Sequence, residues 1–221
     1  KSLGNFLGGK PQFTLISSGV VNPYTVSLVH LGLVRKVIAT NCGLTYPIPR
    51  PNPLLQKAFG EKRVEIESWS LYSLELRLMA GALGVGFMPT KSIVGTDLAK
   101  ENATSFKLIN DPFHEGRKEG VVEALAPDLS ITSGLVADPY GNTILAPPYF
   151  GSIWGPRASR NGVIVTVEKL VSTEFIRRYS SLVRLPGYLV NAVCVVPFGA
   201  HPQGLIAKGI EGFESYGEDY E

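Results

Sequence analysis

The chain has 221 residues, enough for one large domain or two small ones, and enough to bury a core without disulfide or metal staples. Hydrophobic residues make up 44% and charged residues 18% of it, which excludes a disordered chain. The net charge of +2 gives no reason to expect nucleic acid or an anionic membrane as a partner. The 24 Gly and 16 Pro residues predict many tight turns and argue against a helical bundle.

Strands and helices alternate three times in the first ninety residues. Short β-branched or apolar runs predict strands at the positions 12–17, 36–40 and 63–66. Amphipathic runs predict helices at the positions 23–33, 53–59 and 73–83. This alternation is typical of an α/β fold, and we expect an open, mixed and mostly parallel sheet with helices on both faces.

The second half is richer in strands. Short apolar runs bounded by turn residues predict strands at 106–109, 121–124, 129–136, 163–167 and 192–196. Several runs are continuous rather than alternating, as expected for strands covered on both faces. The positions 139–162 are expected to form a loop, since they contain Pro147-Pro148 and several glycines.

The cysteines and the hydropathy pattern indicate a compartment. Cys42 and Cys194 have neither a CxxC spacing nor a histidine at metal-binding distance, which favours free thiols in a reducing environment. No apolar run reaches the ~18 residues of a membrane span, and no signal-peptide pattern is visible. We therefore expect a cytoplasmic protein without membrane contact.

Common catalytic motifs are missing, including Walker A, HExxH and GxSxG. The three histidines, His30, His114 and His201, are far apart with different neighbours, so no metal site is predicted. Only His201 follows a predicted strand end, where a site residue is plausible.

Two segments could bind an anion. The Gly-rich segment 3–11 could bring backbone amides close to an anion or oxyanion, although it could equally be an ordinary turn. Thr90, Lys91 and Ser92, followed by Gly95, could bind a phosphate or carboxylate. The alternative for this second segment is a solvated loop after a Gly-terminated helix.

Glu67 and Ser68 come directly after a predicted strand and before a helix. A carboxylate at the carboxyl end of such a strand faces the crevice in which open α/β sheets bind ligands. The alternative is a helix cap, which Ser68 or Ser70 could provide.

These segments, taken in order, resemble the α subunit of the family I coenzyme A transferases, and most closely the glutaconate CoA-transferase α-subunit group. Each motif is weak alone, but the ordered set covers nearly the whole chain. The motifs are Gly4-Asn5-Phe6 and Gly9-Lys10-Pro11; Glu67, Arg77, Gly81 to Gly86, Pro89-Thr90 and Gly95; Ala126-Pro127-Asp128 and Gly141-Asn142; Val167-Glu168, Pro186-Gly187-Tyr188 and Phe198-Gly199-Ala200-His201-Pro202.

The resemblance implies a fold shared with sugar-phosphate isomerases and a single α-subunit domain over 1–221, truncated at both ends. It also implies transfer of CoA between an acyl-CoA and a carboxylic acid, with CoA as substrate and no metal. The nucleophile would be a Glu in a Ser-Glu-Asn-Gly motif of a β subunit, in an α2β2 assembly. This sequence contains no such motif.

The resemblance assigns this chain the supporting part of the site. The expected oxyanion loop is Gly4, Asn5, Phe6, Gly8 and Gly9. Glu67 would act as a base or would orient the substrate. The expected substrate-binding residues are Glu67, Ser68, Thr90, Lys91, Ser92, Gly95 and His201.

Two other functions stay open. Relatives in the glutaconate group hydrolyse a carbon–carbon bond of ring-derived acyl-CoAs and rely on polar groups such as the one matching Glu67. The chain could also be a non-catalytic sensor of a small phosphorylated metabolite, a use to which the related isomerase fold is put.

Overall fold

A computed structural model describes residues 13–21, 23–44, 49–207 and 209–219. Backbone contacts divide the chain into two compact units. The first comprises Lys1–Ala80 and Val85–Ala124, and the second comprises Gly81–Gly84 and Leu125–Glu221. Each unit has sheets of its own, and the single domain expected over 1–221 stays a prediction.

The first unit alternates strands and helices and then adds an antiparallel meander. Its elements are β1 (Phe13–Val20), α1 (Pro23–His30), β2 (Val34–Asn41), β3 (Gly43–Leu44), β4 (Arg50–Pro51), α2 (Pro53–Gly60), β5 (Glu65–Ser68), α3 (Leu71–Leu83), β6 (Phe87–Thr90), α4 (Asp97–Glu101), β7 (Phe106–Asn110) and β8 (Lys118–Glu123).

The parallel sheet of this unit has the order β1-β2-β5. Strands β6, β7 and β8 form a separate antiparallel sheet with β8 in the middle, and β3 and β4 form a short antiparallel pair. All three strands of the parallel sheet end at the same edge, so side chains near their carboxyl ends lie close together.

Helices cover both faces of the parallel sheet. Val37 and Ala39 of β2 belong to a buried cluster that includes side chains of α1 and α2. Lys36 alternates with them and lies on the other face, because successive strand residues point in opposite directions. Helix α3 lies on that second face, where its Arg77 reaches Glu67 of β5. The expected placement of helices on both faces is therefore confirmed for this unit.

Polar caps fix where two of these helices begin. Asn52 accepts hydrogen bonds from the backbone N–H groups of Leu54 (3.1 Å) and Leu55 (3.3 Å), with Pro53 in the first turn of α2. Ser70 accepts one from the N–H of Ser73 at 3.1 Å, at the start of α3. Of the two serines that the sequence suggested as caps, Ser70 is the one that caps α3.

The second unit contains a mixed five-stranded sheet of order β12-β10-β9-β11-β13. The central strands β9, β11 and β13 are parallel, whereas β10 and β12 pair antiparallel at one side. Its elements are β9 (Ser130–Ala137), β10 (Thr143–Ile144), α5 (Trp154–Ala158), β11 (Val163–Leu170), α6 (Thr173–Arg178), β12 (Val183–Leu185) and β13 (Val190–Val195).

Two expectations from the sequence are wrong in detail. The stretch 139–162, expected as loop, contains β10 and α5. The segment 87–90, expected as part of a loop, is β6, which pairs with β8 from Phe87 opposite Glu123. Both strands are short and each is supported by a partner distant in sequence, which a local pattern does not register.

Candidate active site

The carboxyl edge of the parallel sheet carries polar side chains that face α3. Thr40 and Glu67 lie near the ends of β2 and β5, on the face opposite the α1 and α2 cluster. Ser18 lies near the end of β1, where the pairing with β2 shifts register between Ser17 and Val20. The edge therefore presents hydroxyls and a carboxylate beneath the first turns of α3.

Glu67 is held by three donors from three different elements. One carboxylate oxygen, Oε1, accepts hydrogen bonds from Trp69 Nε1 (2.6 Å) and from Arg77 (2.9 Å). The other, Oε2, lies 2.6 Å from Lys36 Nζ. Lys36 also lies 2.8 Å from Glu65, so one ammonium joins two carboxylates. Both oxygens of Glu67 are therefore occupied.

Arg77 anchors this network in the interior of the first unit. Only 4% of the residue is exposed. Besides Glu67, its guanidinium donates from Nε to the carbonyl of Glu123 (3.1 Å) and lies 4.4 Å from the ring centre of Trp69. A buried arginine needs such partners, because an unpaired charge in the interior is costly.

The charges decide the ionisation of Glu67. Burial raises the pKa of this carboxyl, but the hydrogen bonds from Lys36 and Trp69 and the charges of Lys36 and Arg77 outweigh it. Its pKa therefore lies below its ordinary value, and Glu67 is an anion at neutral pH. An anion with both oxygens bonded is suited to orienting other groups and is a weak base.

A cluster of hydroxyls lies at the start of α3. Ser70 Oγ is 2.7 Å from the Oγ atoms of both Ser73 and Ser92. Thr90, which is buried, accepts a hydrogen bond from the N–H of Ser92 at 3.0 Å. Thr90 and Ser92, predicted together, thus lie beside a third hydroxyl, Ser70, for which the sequence suggests only a capping role.

Lys91 and Gly95 follow the hydroxyl cluster along the chain. Lys91 is exposed. Gly95 has a φ of +78°, which a residue with a side chain adopts only with strain. The segment that carries the cation therefore lies at the surface, next to hydroxyls that are partly buried.

Ser68 does not share a face with Glu67. It pairs with Ala39, which belongs to the buried cluster on the α1 and α2 side. Its backbone carbonyl accepts a hydrogen bond from Asn102 at 2.8 Å. Neighbouring strand residues alternate between faces, so two residues predicted as one pair are separated.

His201 lies in the second unit and is held among aromatic rings. Its ring stacks on Tyr216 with centres 5.3 Å apart and an angle of 6°. Tyr216 donates to Glu168 at 2.8 Å, and Glu168 also accepts from the N–H of Phe198 at 2.6 Å. Burial and the hydrogen bond to Glu168 raise the pKa of Tyr216 to about 12. The PFGAHP segment is thus fixed to β11 by one carboxylate.

The predicted oxyanion loop, Gly4, Asn5, Phe6, Gly8 and Gly9, lies outside the described residues. Among the residues that are described, no group of three or more His, Cys, Asp or Glu side chains is arranged to hold a metal ion. Within the same ranges, no helix is long and apolar enough to cross a membrane.

Sequence reasoning missed Lys36, Trp69 and Glu75, and it noted Arg77 only as part of a family motif. The alternation in β2 carries a signal for Lys36, because a charged residue inside an otherwise apolar strand needs a partner on its own face. The partner itself, Glu67, lies 31 positions further along the chain and follows only from the strand pairing.

Comparison with known proteins bears on this architecture. A sequence model described as coenzyme A transferase matches residues 8–195. The α subunit of glutaconate CoA-transferase from Acidaminococcus fermentans is 30% identical over 161 residues, covering 66% of this chain and 50% of that protein. The α subunit of 3-oxoadipate CoA-transferase from Pseudomonas knackmussii is 33% identical over 146 residues, covering 63% of this chain and 48% of that protein. The chain spans about half the length of these two curated relatives.

A solved structure agrees with the sequence relatives. The crystal structure of glutaconate coenzyme A-transferase from Acidaminococcus fermentans superposes with a TM-score of 0.77 at 25% identity, covering 87% of this chain and 64% of that one. The α/β fold expected from the sequence is that of this structural relative. Because the family model covers most of the sequence, this chain belongs to the coenzyme A transferase family.

Proposed function

We propose that the chain is the α subunit of an enzyme that moves CoA between an acyl-CoA and a carboxylic acid. Family membership supports CoA-ester chemistry, and two relatives are α subunits of such transferases by name. The proposal includes a β subunit that supplies the nucleophilic Glu, an α2β2 assembly, and acyl-CoA and a carboxylic acid as substrates.

The state of Glu67 is the observation that carries this division of labour. A carboxylate that attacks a thioester needs a free oxygen, whereas both oxygens of Glu67 are bonded to Lys36, Trp69 and Arg77. Among the carboxylates near the parallel sheet's carboxyl edge, Glu67 thus supports the site without being its nucleophile. The nucleophile then comes from the partner chain.

The reaction proceeds in two balanced exchanges. The partner's glutamate attacks the thioester carbonyl, the CoA thiolate leaves, and an acyl–glutamyl anhydride forms. The thiolate then attacks the glutamyl carbonyl, which releases the carboxylic acid as its anion and leaves a glutamyl–CoA thioester. The acceptor acid reverses both steps. Each attack passes through an oxyanion, which preorganised donors stabilise.

The residues of this chain would bind and orient the substrate. Gly4, Asn5, Phe6, Gly8 and Gly9 would offer backbone amides to the oxyanion. Thr90, Ser92 and Lys91 would hold a carboxylate of the acyl group, with Gly95 shaping their loop. Glu67, Ser68 and His201 complete the proposed set, with Glu67 as an orienting anion rather than a base.

Intact mass spectrometry tests the proposal. The chain is co-expressed with its partner, exposed to a panel of acyl-CoAs, and each chain is weighed. A CoA-sized adduct on the partner alone is the expected result. An adduct on this chain would place the nucleophile here and refute the division of labour. Loss of acyl-CoA with a water-added product and no adduct would favour the hydrolase.

A matched pair of variants separates transfer from hydrolysis. Glu65→Gln and Glu67→Gln each remove one carboxylate from Lys36, but only the second frees Trp69 and Arg77. A hydrolase that depends on Glu67 would lose its activity in Glu67→Gln and keep it in Glu65→Gln. The sensor alternative predicts tight binding of sugar phosphates, which a titration beside CoA esters would reveal.

A further inference from the structure

A second carboxylate lies on the same side of the parallel sheet as Glu67. Glu75, in the second turn of α3, accepts a hydrogen bond from the hydroxyl of Ser18 at the carboxyl end of β1. Next to Ser18 the strand departs from regular pairing. Gly19 has a φ of +113°, and its N–H and carbonyl both bond to the hydroxyl of Thr40, at 3.0 and 2.9 Å. Such a bulge re-aims the side chains beside it.

The charged groups around Glu75 are engaged with one another. On the face of the sheet that α3 covers, β2 contributes Lys36 and β5 contributes Glu65 and Glu67, while α3 itself contributes Arg77. These four side chains form one ion-paired network. Within the described ranges, Glu75 makes no ion pair, and Ser18 is its hydrogen-bond partner.

The two carboxylates therefore have opposite environments. Glu67 is surrounded by two cations, and its pKa is lowered. Burial raises the pKa of Glu75 above its ordinary value of 4.5, and the hydrogen bond from Ser18 only partly opposes this. Acid–base sites commonly pair one carboxylate held as an anion with another whose neutral form is favoured.

We propose that Ser18 donates a hydrogen bond to the acyl oxygen of the bound substrate and that Glu75, hydrogen-bonded behind it, sets the direction of that donor. The inference rests on the proposed CoA transfer and adds a donor to its oxyanion site. Ser18 is the catalytic residue, since it would touch the substrate, and Glu75 is a positioning residue that acts through it.

The direction of the Ser18 hydrogen bond depends on the proton of Glu75. When Glu75 is ionised, it accepts the single hydrogen of Ser18, which is then unavailable to the substrate. When Glu75 is protonated, its own O–H donates to Ser18 Oγ, and the serine hydrogen turns to the acyl oxygen. No proton is consumed, because each hydrogen keeps its own oxygen throughout.

The pH dependence follows from this switch. The protonated form of Glu75 is lost as pH rises through its pKa in the folded protein. The rate of glutamyl–CoA thioester formation should therefore fall over the same range. Glu75→Gln carries an amide N–H that always donates to Ser18, so it should keep the low-pH rate and lose that pH limb.

The test measures the rate of glutamyl–CoA thioester formation against pH in the complex with the partner chain. It compares wild type, Glu75→Gln and Ser18→Ala with the exposed control Glu115→Gln. Ser18→Ala should be slower by about 100-fold at low pH, as for loss of one oxyanion donor in other acyl-transfer enzymes. Glu115→Gln should reproduce the wild-type profile.

The possible outcomes are distinct. A limb that disappears in Glu75→Gln and persists in Glu115→Gln supports the inference. An unchanged limb in Glu75→Gln, or a wild-type rate in Ser18→Ala, overturns it while CoA transfer stands. A wild-type complex that forms no thioester with any acyl-CoA overturns the proposed function, and with it this inference. Circular dichroism of each variant separates loss of the donor from loss of the fold.

Discussion

Replacing Arg77 by methionine removes the buried cation of the first unit while keeping an unbranched side chain of similar length. Three contacts are lost: 2.9 Å to Glu67, 3.1 Å to the carbonyl of Glu123, and the stacking on Trp69 at 4.4 Å. Glu67 keeps Lys36 and Trp69, so it is not left without partners.

The expected cost is about 3 kcal/mol in the free energy of unfolding. Breaking a buried ion pair costs about 3–5 kcal/mol. The lower end applies because the side chain of Glu67 is 19% exposed and retains a second cation. Arg77→Lys keeps the charge but loses the fork that serves Glu67 and Glu123 together, and it should cost about half as much.

Urea unfolding followed by tryptophan fluorescence measures this cost. The chain has two tryptophans, so a Trp154→Phe background leaves Trp69 as the reporter of the first unit. With a slope of about 2 kcal/mol per M of urea, Arg77→Met should lower the midpoint by about 1.5 M. Arg63→Met is the control, since Arg63 is a surface residue of the same unit with one carboxylate partner, Glu61, at 2.6 Å.

Exposed ion pairs contribute about 0–1 kcal/mol, so Arg63→Met should leave the midpoint almost unchanged. An Arg77→Met midpoint equal to that of Arg63→Met would refute the reasoning. It would mean that the interior of this unit tolerates loss of its buried cation, and that the network around Glu67 does not stabilise the fold.

Three further predictions concern pH and packing. Since the pKa of Glu67 is lowered on folding, its contribution to stability is present above its unfolded value of about 4.5 and is lost as pH falls through the folded value. The stability difference between wild type and Glu67→Gln should therefore shrink in urea titrations from pH 7 to pH 3, and a constant difference would contradict this. A Cβ on Gly81 would lie 2.4 Å from the carbonyl oxygen of Leu125, whereas one on Gly86 would meet nothing within 4 Å. Gly81→Ala should cost about 1–3 kcal/mol in thermal or urea unfolding and Gly86→Ala much less, and equal costs would refute the assigned contact. Spectrophotometric titration should find one of the nine tyrosines ionising near pH 12, and Tyr216→Phe should remove that step. A step that survives in Tyr216→Phe would assign the shifted phenol elsewhere.

The predicted elements with long amphipathic or β-branched patterns are the ones that the structure contains. The helix expected at 73–83 is α3, and the strand expected at 129–136 is β9 with a shift of one residue at each end. The elements that sequence reasoning missed, such as β6 and β10, are four and two residues long. Segments this short carry too few residues for a period, and they form because a distant strand offers hydrogen-bonding partners.

The candidate site shows the same division. The sequence identified Glu67 from its place after a strand, and Thr90 and Ser92 from their hydroxyls. It could not find Lys36 or Glu75 as neighbours of the site, because pairing between β2 and β5 and the packing of α3 on β1 bring them there. It also could not separate Ser68 from Glu67, because their opposite faces follow from the register with β2.

Local patterns along the chain were sufficient to predict the α/β class, the order of the motifs and, through them, the family. These properties depend on periodicity and on residue types at fixed spacing, which a linear chain carries in full. The ionisation of the two carboxylates, with the pKa lowered at Glu67 and raised at Glu75, follows instead from the folded arrangement. The pKa of a carboxyl depends on its burial and on the charges within a few ångströms, and those neighbours come from strands and helices that are distant in sequence.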